Sequence, residues 1–135
     1  LKIRKGIEAA VSKHSRPYDQ LMAMVTFYRE MWLKTIVDGG CPMLNAATEA
    51  DDNLLFLKSA VKTSFEIWQS KIVEIIEQGT KDGSLRSPLK AAVYASTFIM
   101  LIEGGILLGR TLNQTEQMNI ALDRIVKIID EEIAI

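Results

Sequence analysis

The sequence is poor in the residues that build catalytic and metal sites. Among its 135 residues there are one cysteine and one histidine. One cysteine excludes an intrachain disulfide, and the two residues together are too few for a Cys/His metal site or a nucleophile–histidine pair with its orienting group. We therefore predict that the chain is not an enzyme and that it has no catalytic residue, no metal and no cofactor.

Other absences limit its partners and its compartment. The net charge of −1 gives no overall basic surface for nucleic acid. A glycine-rich phosphate loop is also absent, because Gly104 and Gly105 occur within a helical pattern. With a single cysteine and no compact apolar leader, we expect a cytoplasmic protein. The chain starts at Leu1 inside an uncapped helical pattern, so we expect that a further segment precedes it.

The residues that are abundant indicate an ordered helical domain. Hydrophobic residues make up 48% of the chain and charged residues 24%, as in globular domains with one substantial core. Apolar residues recur at helical spacing, and no segment alternates like a strand. We predict an all-α fold, a bundle of five to six helices. The predicted helices cover residues 1–14, 17–37, 45–50, 53–78 and 87–112, and a last one starts at Asn113.

The rest of the chain is organised around residues 91–109, which are almost all apolar and carry one charge, Glu103. A helix that is apolar on every side must be buried on every side, so one side packs on its own chain and the other on something else. Gly105 and Gly109 form a small-xxx-small step that lets two helices approach closely. The last helix has a broad apolar stripe, and two such helix pairs related by a two-fold axis would close a dimeric four-helix bundle.

A transmembrane helix is the alternative for residues 91–109, because about 20 apolar residues span a bilayer. Glu103 argues against it, since a carboxylate at that depth costs about 3 kcal/mol. The amphipathic helices on both sides also need an apolar partner, which favours a core helix. The role of Glu103 in such a core stays open between a buried anchor, a polar group in a ligand pocket and a general acid or base.

The apolar stripe of residues 17–37 is rich in methionine and aromatic side chains. Ordinary core packing explains such a stripe, and so does an adaptable pocket for apolar ligands, because methionine changes shape easily and Tyr and Trp add a polar tip.

Several segments of the chain together carry a family resemblance. They are Gly40-Cys41-Pro42, Asn45-Ala46-Ala47 and Glu49, then Trp68 through Gly79 and Gly83-Ser84-Leu85, and finally Glu103-Gly104-Gly105. With these segments the chain resembles the C-terminal, effector-binding and dimerisation domain of TetR-type (tetracycline-repressor-like) transcriptional regulators. The resemblance implies a DNA-binding helix-turn-helix of about 50 residues upstream, with residues 1–135 forming one ligand-binding and dimerisation domain.

The resemblance implies a homodimer that binds a small apolar or amphipathic effector, and operator DNA through the upstream module. By position the last two helices would form the dimer interface, and we expect contacts from Phe98, Ile102, Gly105, Gly109, Leu122, Ile125 and Ile129. Helical faces, rather than a matched motif, place the pocket residues at Tyr28, Trp32, Phe65, Trp68, Met100 and Glu103.

The mechanism that the family implies is an equilibrium in which the effector changes the spacing of two DNA-binding modules and releases the operator, as a repressor does. A purely structural helical interaction module without a ligand is the alternative function, and a small membrane protein is a more distant one.

Overall fold

The computed structural model describes residues 2–37 and 55–135, with the side chains of residues 5–32 and 59–135. This part of the chain is helical, and it confirms the predicted all-α class. Five helices are followed by one π-helical turn at the C-terminus. They are α1 (Lys2–Ser12), α2 (Pro17–Val37), α3 (Leu55–Asp82), α4 (Ala91–Leu112), α5 (Glu116–Ile128) and the π-helical turn Ile129–Ile133. The short helix predicted at 45–50 lies outside the described residues.

One hydrophobic core joins all five helices. The α4 and α5 helices pack on each other as a hairpin, while α2 contacts α1, α3, α4 and α5. The largest fully buried side chains come from four of the helices, the loop before α4 and the terminal turn: Leu21, Ile72, Ile76, Leu85, Phe98, Ile102, Ile106, Met118, Leu122, Ile125, Ile129 and Ile133. Their helical spacing in the sequence is what brings them to one side of each helix.

The α3 helix runs past the glycine that was predicted to end it. Gly79 lies inside the helix, and its lack of a side chain leaves room for the side chain of Leu85, which a Cβ atom at Gly79 would overlap. The backbone N–H of Leu85 donates to the Gly79 carbonyl oxygen at 3.0 Å. The helix ends instead before Gly83, whose φ of +82° is favourable for glycine.

The α4 helix begins at Ala91 rather than at residue 87, where the sequence predicted its start. The preceding segment is held in an extended form because Leu85 forms an isolated antiparallel bridge with Ala134. Arg86 adds two hydrogen bonds to the C-terminal segment, from its backbone N–H to the Ile133 carbonyl oxygen and from Nε to the Ala134 carbonyl oxygen. Contacts with residues almost 50 positions away in sequence therefore set the start of α4.

The last helix begins at Glu116 rather than at Asn113, where the sequence predicted its start. Asn113 adopts a left-handed conformation (φ 53°, ψ 48°) and ends α4, and Thr115 precedes the first residue of α5. Asparagine tolerates this conformation better than most residues do, so Asn113 ends one helix instead of capping the next.

Two tyrosine–carboxylate hydrogen bonds hold the C-terminal turn. Tyr18 Oη on α2 donates to Asp130 Oδ1 at 2.7 Å, and Tyr94 Oη on α4 donates to Glu132 Oε1 at 3.0 Å. The hydrogen bond to Asp130 raises the pKa of Tyr18. Burial, followed by the hydrogen bond to Glu132, raises the pKa of Tyr94. The turn after α5 is thus attached to both α2 and α4.

By length and composition, α4 could cross a bilayer, since it has 22 residues and a mean hydropathy of 1.8 over its most apolar window. In the fold, 39% of that window is buried inside the protein. One side of the helix packs on the rest of the chain, as the sequence predicted, and the other side is exposed.

Candidate functional site

Three of the predicted pocket residues come together as an aromatic cluster in the core. Tyr28 on α2 stacks on Trp68 of α3 with ring centroids 5.9 Å apart and planes inclined by 28°. Phe65, one turn before Trp68 on the same helix, stacks on it at 6.5 Å and 20°. Trp32 follows Tyr28 by one turn of α2 and is a half-buried neighbour of the same core. The amphipathic stripes of α2 and α3 thus meet where the sequence placed a pocket.

Trp68 contributes the main polar group of this cluster. The residue is 7% exposed, and its indole Nε1 has no hydrogen-bond acceptor among the residues that the structure describes. A buried donor without an acceptor costs about 1–3 kcal/mol. Most buried polar groups in proteins are paired, so this nitrogen is a distinctive feature of the site.

Glu103 lies on the face of α4 that contacts α3. Gln69 Nε2 on α3 donates to Ser96 Oγ on α4 at 3.0 Å, which identifies that face. Glu103 follows Ser96 by two helical turns, about 10 Å along the axis, and it is 8% exposed. A buried carboxyl group at a helix–helix contact is a candidate for orienting a ligand.

Met100 does not belong to the aromatic cluster. Its side chain is 66% exposed on the outer face of α4, and we therefore revise its predicted place in the pocket. On an almost wholly apolar helix, residues only 40° to 60° apart around the axis can point to the core or to the outside. Residue spacing alone therefore could not show that Glu103 faces the core and Met100 faces outward.

The predicted dimer contacts are all buried within one chain. Phe98, Ile102, Leu122, Ile125 and Ile129 have no accessible surface left for a second copy. The two glycines of the small-xxx-small step, Gly105 and Gly109, are buried as well.

Gly105 shows why the prediction has to be revised. A Cβ atom there would lie 3.1 Å from Met118 Cα, 3.3 Å from Met118 Sδ and 3.4 Å from Ala121 Cβ. Gly105 therefore serves the close approach of α4 to α5 of the same chain. The sequence predicted that the inner face of this hairpin forms the dimer interface. Because that face is filled within one chain, the outer face is the one available to a partner.

The outer face of the hairpin carries an apolar patch that the sequence pattern predicted only in part. In the described part of the chain, the exposed large apolar side chains outside this patch are Ile67 and Ile135. Gly104 lies in the middle of the patch, and a Cβ atom there would meet nothing within 4 Å. The patch, which we call the outer α4–α5 face, consists of Val93, Met100, Gly104, Leu107, Leu108, Leu112 and Ile120.

The described surface also has open grooves, which do not include the aromatic cluster. One of about 330 Å³ lies between α1 and α2 and is lined partly by His14, Asp19 and Phe27. Two others, of about 430 and 420 Å³, lie along α3. Among the described residues, no group of three or more His, Cys, Asp or Glu side chains could hold a metal ion.

Comparison with known proteins identifies the family to which this domain is similar. Residues 17–125 match the family described as "Tetracyclin repressor-like, C-terminal domain". A TetR transcriptional regulator from Chloroflexus aurantiacus J-10-fl has the same fold, with a TM-score of 0.91 and 25% identity over 99% of this chain and 68% of its own. A TetR-family transcriptional regulator from Cytophaga hutchinsonii matches with a TM-score of 0.79 and 22% identity over 95% and 64%.

The chain thus spans about two thirds of the length of each of these regulators. None of the curated proteins matches it. Regulators of this family act as dimers that bind DNA and small-molecule effectors. Because the family match extends over most of the sequence, the chain belongs to the tetracycline-repressor-like family of transcriptional regulators, as their C-terminal domain.

Proposed function

We propose that this chain is the effector-binding and dimerisation domain of a ligand-responsive transcriptional regulator that acts as a repressor. A helix-turn-helix module upstream of residue 2 would bind the operator in the cytoplasm, and two such modules would be held by one dimer. An effector bound in the core would change their spacing and lower the affinity for DNA. The observation that carries the proposal is the outer α4–α5 face, on a domain that family members use in dimers.

The composition of the outer α4–α5 face supports a second copy of this chain as its occupant. Met100, Leu107 and Leu108 project from neighbouring turns of α4, and Ile120 of α5 adds apolar surface. A contiguous exposed apolar patch marks an interaction site on most proteins. A two-fold axis would bring the outer α4–α5 face of one copy against the same face of the other. Each copy would then cover the apolar side chains of its partner.

Gly104 supports a close helix–helix crossing on this face. Glycine inside a helix costs about 1 kcal/mol relative to alanine. At Gly105 the Met118 backbone explains that cost, but at Gly104 nothing in the described part of the chain lies within reach of a Cβ atom. A backbone approaching from a partner would account for glycine at this position.

The aromatic cluster supports the effector site. Large rings and a buried carboxyl group in one core are the usual lining of a pocket for a small, mostly apolar ligand. The α2 helix carries Tyr28 of the cluster and packs on α1, the first described helix. A ligand that displaces α2 would therefore move the end of the domain that leads to the DNA-binding module.

Sedimentation equilibrium tests the dimer that this function requires. Replacing both Met100 and Leu107 by lysine removes apolar surface from the outer α4–α5 face. Each side chain exposes at least half of its surface, so its burial in a dimer is worth about 1–2 kcal/mol per copy. Two such side chains on each of two copies amount to about 4 kcal/mol or more, so the double variant should raise the dimer dissociation constant about 1,000-fold.

Ile67→Lys is the matched control, because Ile67 is an exposed apolar residue on α3, outside the outer α4–α5 face. It should dimerise like the wild type. A double variant that also dimerises with wild-type affinity would refute the proposed interface. A wild-type protein that stays monomeric would favour a structural helical module that does not dimerise.

A further inference from the structure

The indole N–H of Trp68 is a buried donor for which the described residues offer no acceptor. The side chain is more than nine-tenths buried. A buried tryptophan N–H usually finds a partner, and an isolated one is unfavourable. The site therefore contains a recognition group that the packing of the described residues does not use.

The neighbouring rings do not serve as the acceptor. Tyr28 and Phe65 have planes inclined by only 28° and 20° to the indole. The Nε1–H bond lies in the plane of the indole, so it does not point into the face of a ring stacked nearly parallel to it. The two rings lie beside the faces of the indole. The edge of the indole that carries Nε1 is therefore the part of Trp68 suited to a polar contact.

We infer that Trp68 Nε1 donates a hydrogen bond to the effector, and that the effector is a mostly apolar compound carrying a hydrogen-bond acceptor such as a carbonyl oxygen. This inference rests on the proposed function, since it names what the effector must offer. The acceptor is needed because the indole N–H is a buried donor without a partner among the described residues. The apolar character follows from the aromatic rings that lie around the indole.

Isothermal titration calorimetry on the full-length protein tests the inference with two matched probes. The first is 2-acetylnaphthalene, which has a carbonyl acceptor, and the second is 2-isopropenylnaphthalene, which has the same shape without the acceptor. The wild type should bind the first about tenfold more tightly. Trp68→Phe removes the N–H and keeps an aromatic ring, so it should bind both probes with equal affinity.

A second measurement is independent of whether Trp68→Phe folds. In the wild type, the assigned indole proton resonance of Trp68 should move downfield with 2-acetylnaphthalene and not with 2-isopropenylnaphthalene. Equal affinities in the wild type, an unchanged resonance, or binding of neither probe would each overturn the inference. If operator DNA is still released by other compounds in those cases, the proposed function stands. If no compound of a broad panel changes operator affinity, the proposed function itself fails.

Discussion

Adjacent glycines on α4 should respond differently to the same substitution. Gly104→Ala adds a methyl group that meets nothing within 4 Å in the chain, and alanine favours the helix by about 1 kcal/mol. Gly105→Ala gains the same helix preference but puts its Cβ 3.1 Å from Met118 Cα, a backbone atom of α5. Overpacking of this kind costs about 1–3 kcal/mol. We therefore expect Gly105→Ala to be less stable than Gly104→Ala by about 1–3 kcal/mol.

The assay has to separate folding of one chain from dimerisation. Thermal unfolding is therefore measured in the background of Met100→Lys with Leu107→Lys, where the proposed interface is weakened. For a domain of this size, 1 kcal/mol corresponds to about 3 °C in Tm, so the two variants should differ by about 3–10 °C. Equal Tm values would refute the assignment of Gly105 to the contact between α4 and α5 of one chain.

Two further predictions concern α3 and the C-terminal turn. Gly79→Ala should lower Tm by several degrees more than Gly104→Ala raises it, because its Cβ would overlap the buried side chain of Leu85; an unchanged Tm would show that Leu85 moves freely. The hydrogen bond from Tyr18 to Asp130 raises the pKa of the Tyr18 phenol above 10.0, so its contribution to stability is present below pH 10.0 and is lost as the pH rises through the higher folded-state pKa. Tyr18→Phe should therefore reduce the loss of stability that urea unfolding measures as the pH rises above 10.0, and a pH dependence identical to that of the wild type would contradict this.

The sequence predicted the start of a helix where neighbouring residues determine it. The α2 helix begins at Pro17, as predicted, because proline at the first turn starts a helix well. The start of α4 was not predictable in this way. It depends on the bridge between Leu85 and Ala134, and no pattern within 85–91 contains that information.

The same distinction applies to the candidate site. The structure brings Tyr28, Phe65 and Trp68 together, since each lies on the apolar stripe of an amphipathic helix. On α4 every side is apolar, so the sequence identifies faces but not which of them turns inward. The glycines hold the missing information, because only the distance from Gly105 to Met118 shows which face the chain itself fills.

We propose that the outer α4–α5 face joins two chains and thereby two DNA-binding modules. The affinity of the full-length protein for an operator selected from random DNA, measured by fluorescence anisotropy, tests this joining. We expect a two-fold symmetric operator, wild-type affinity for Ile67→Lys, and an affinity at least about 30-fold lower for Met100→Lys with Leu107→Lys. Operator binding by the double variant with wild-type affinity would contradict the role of this face.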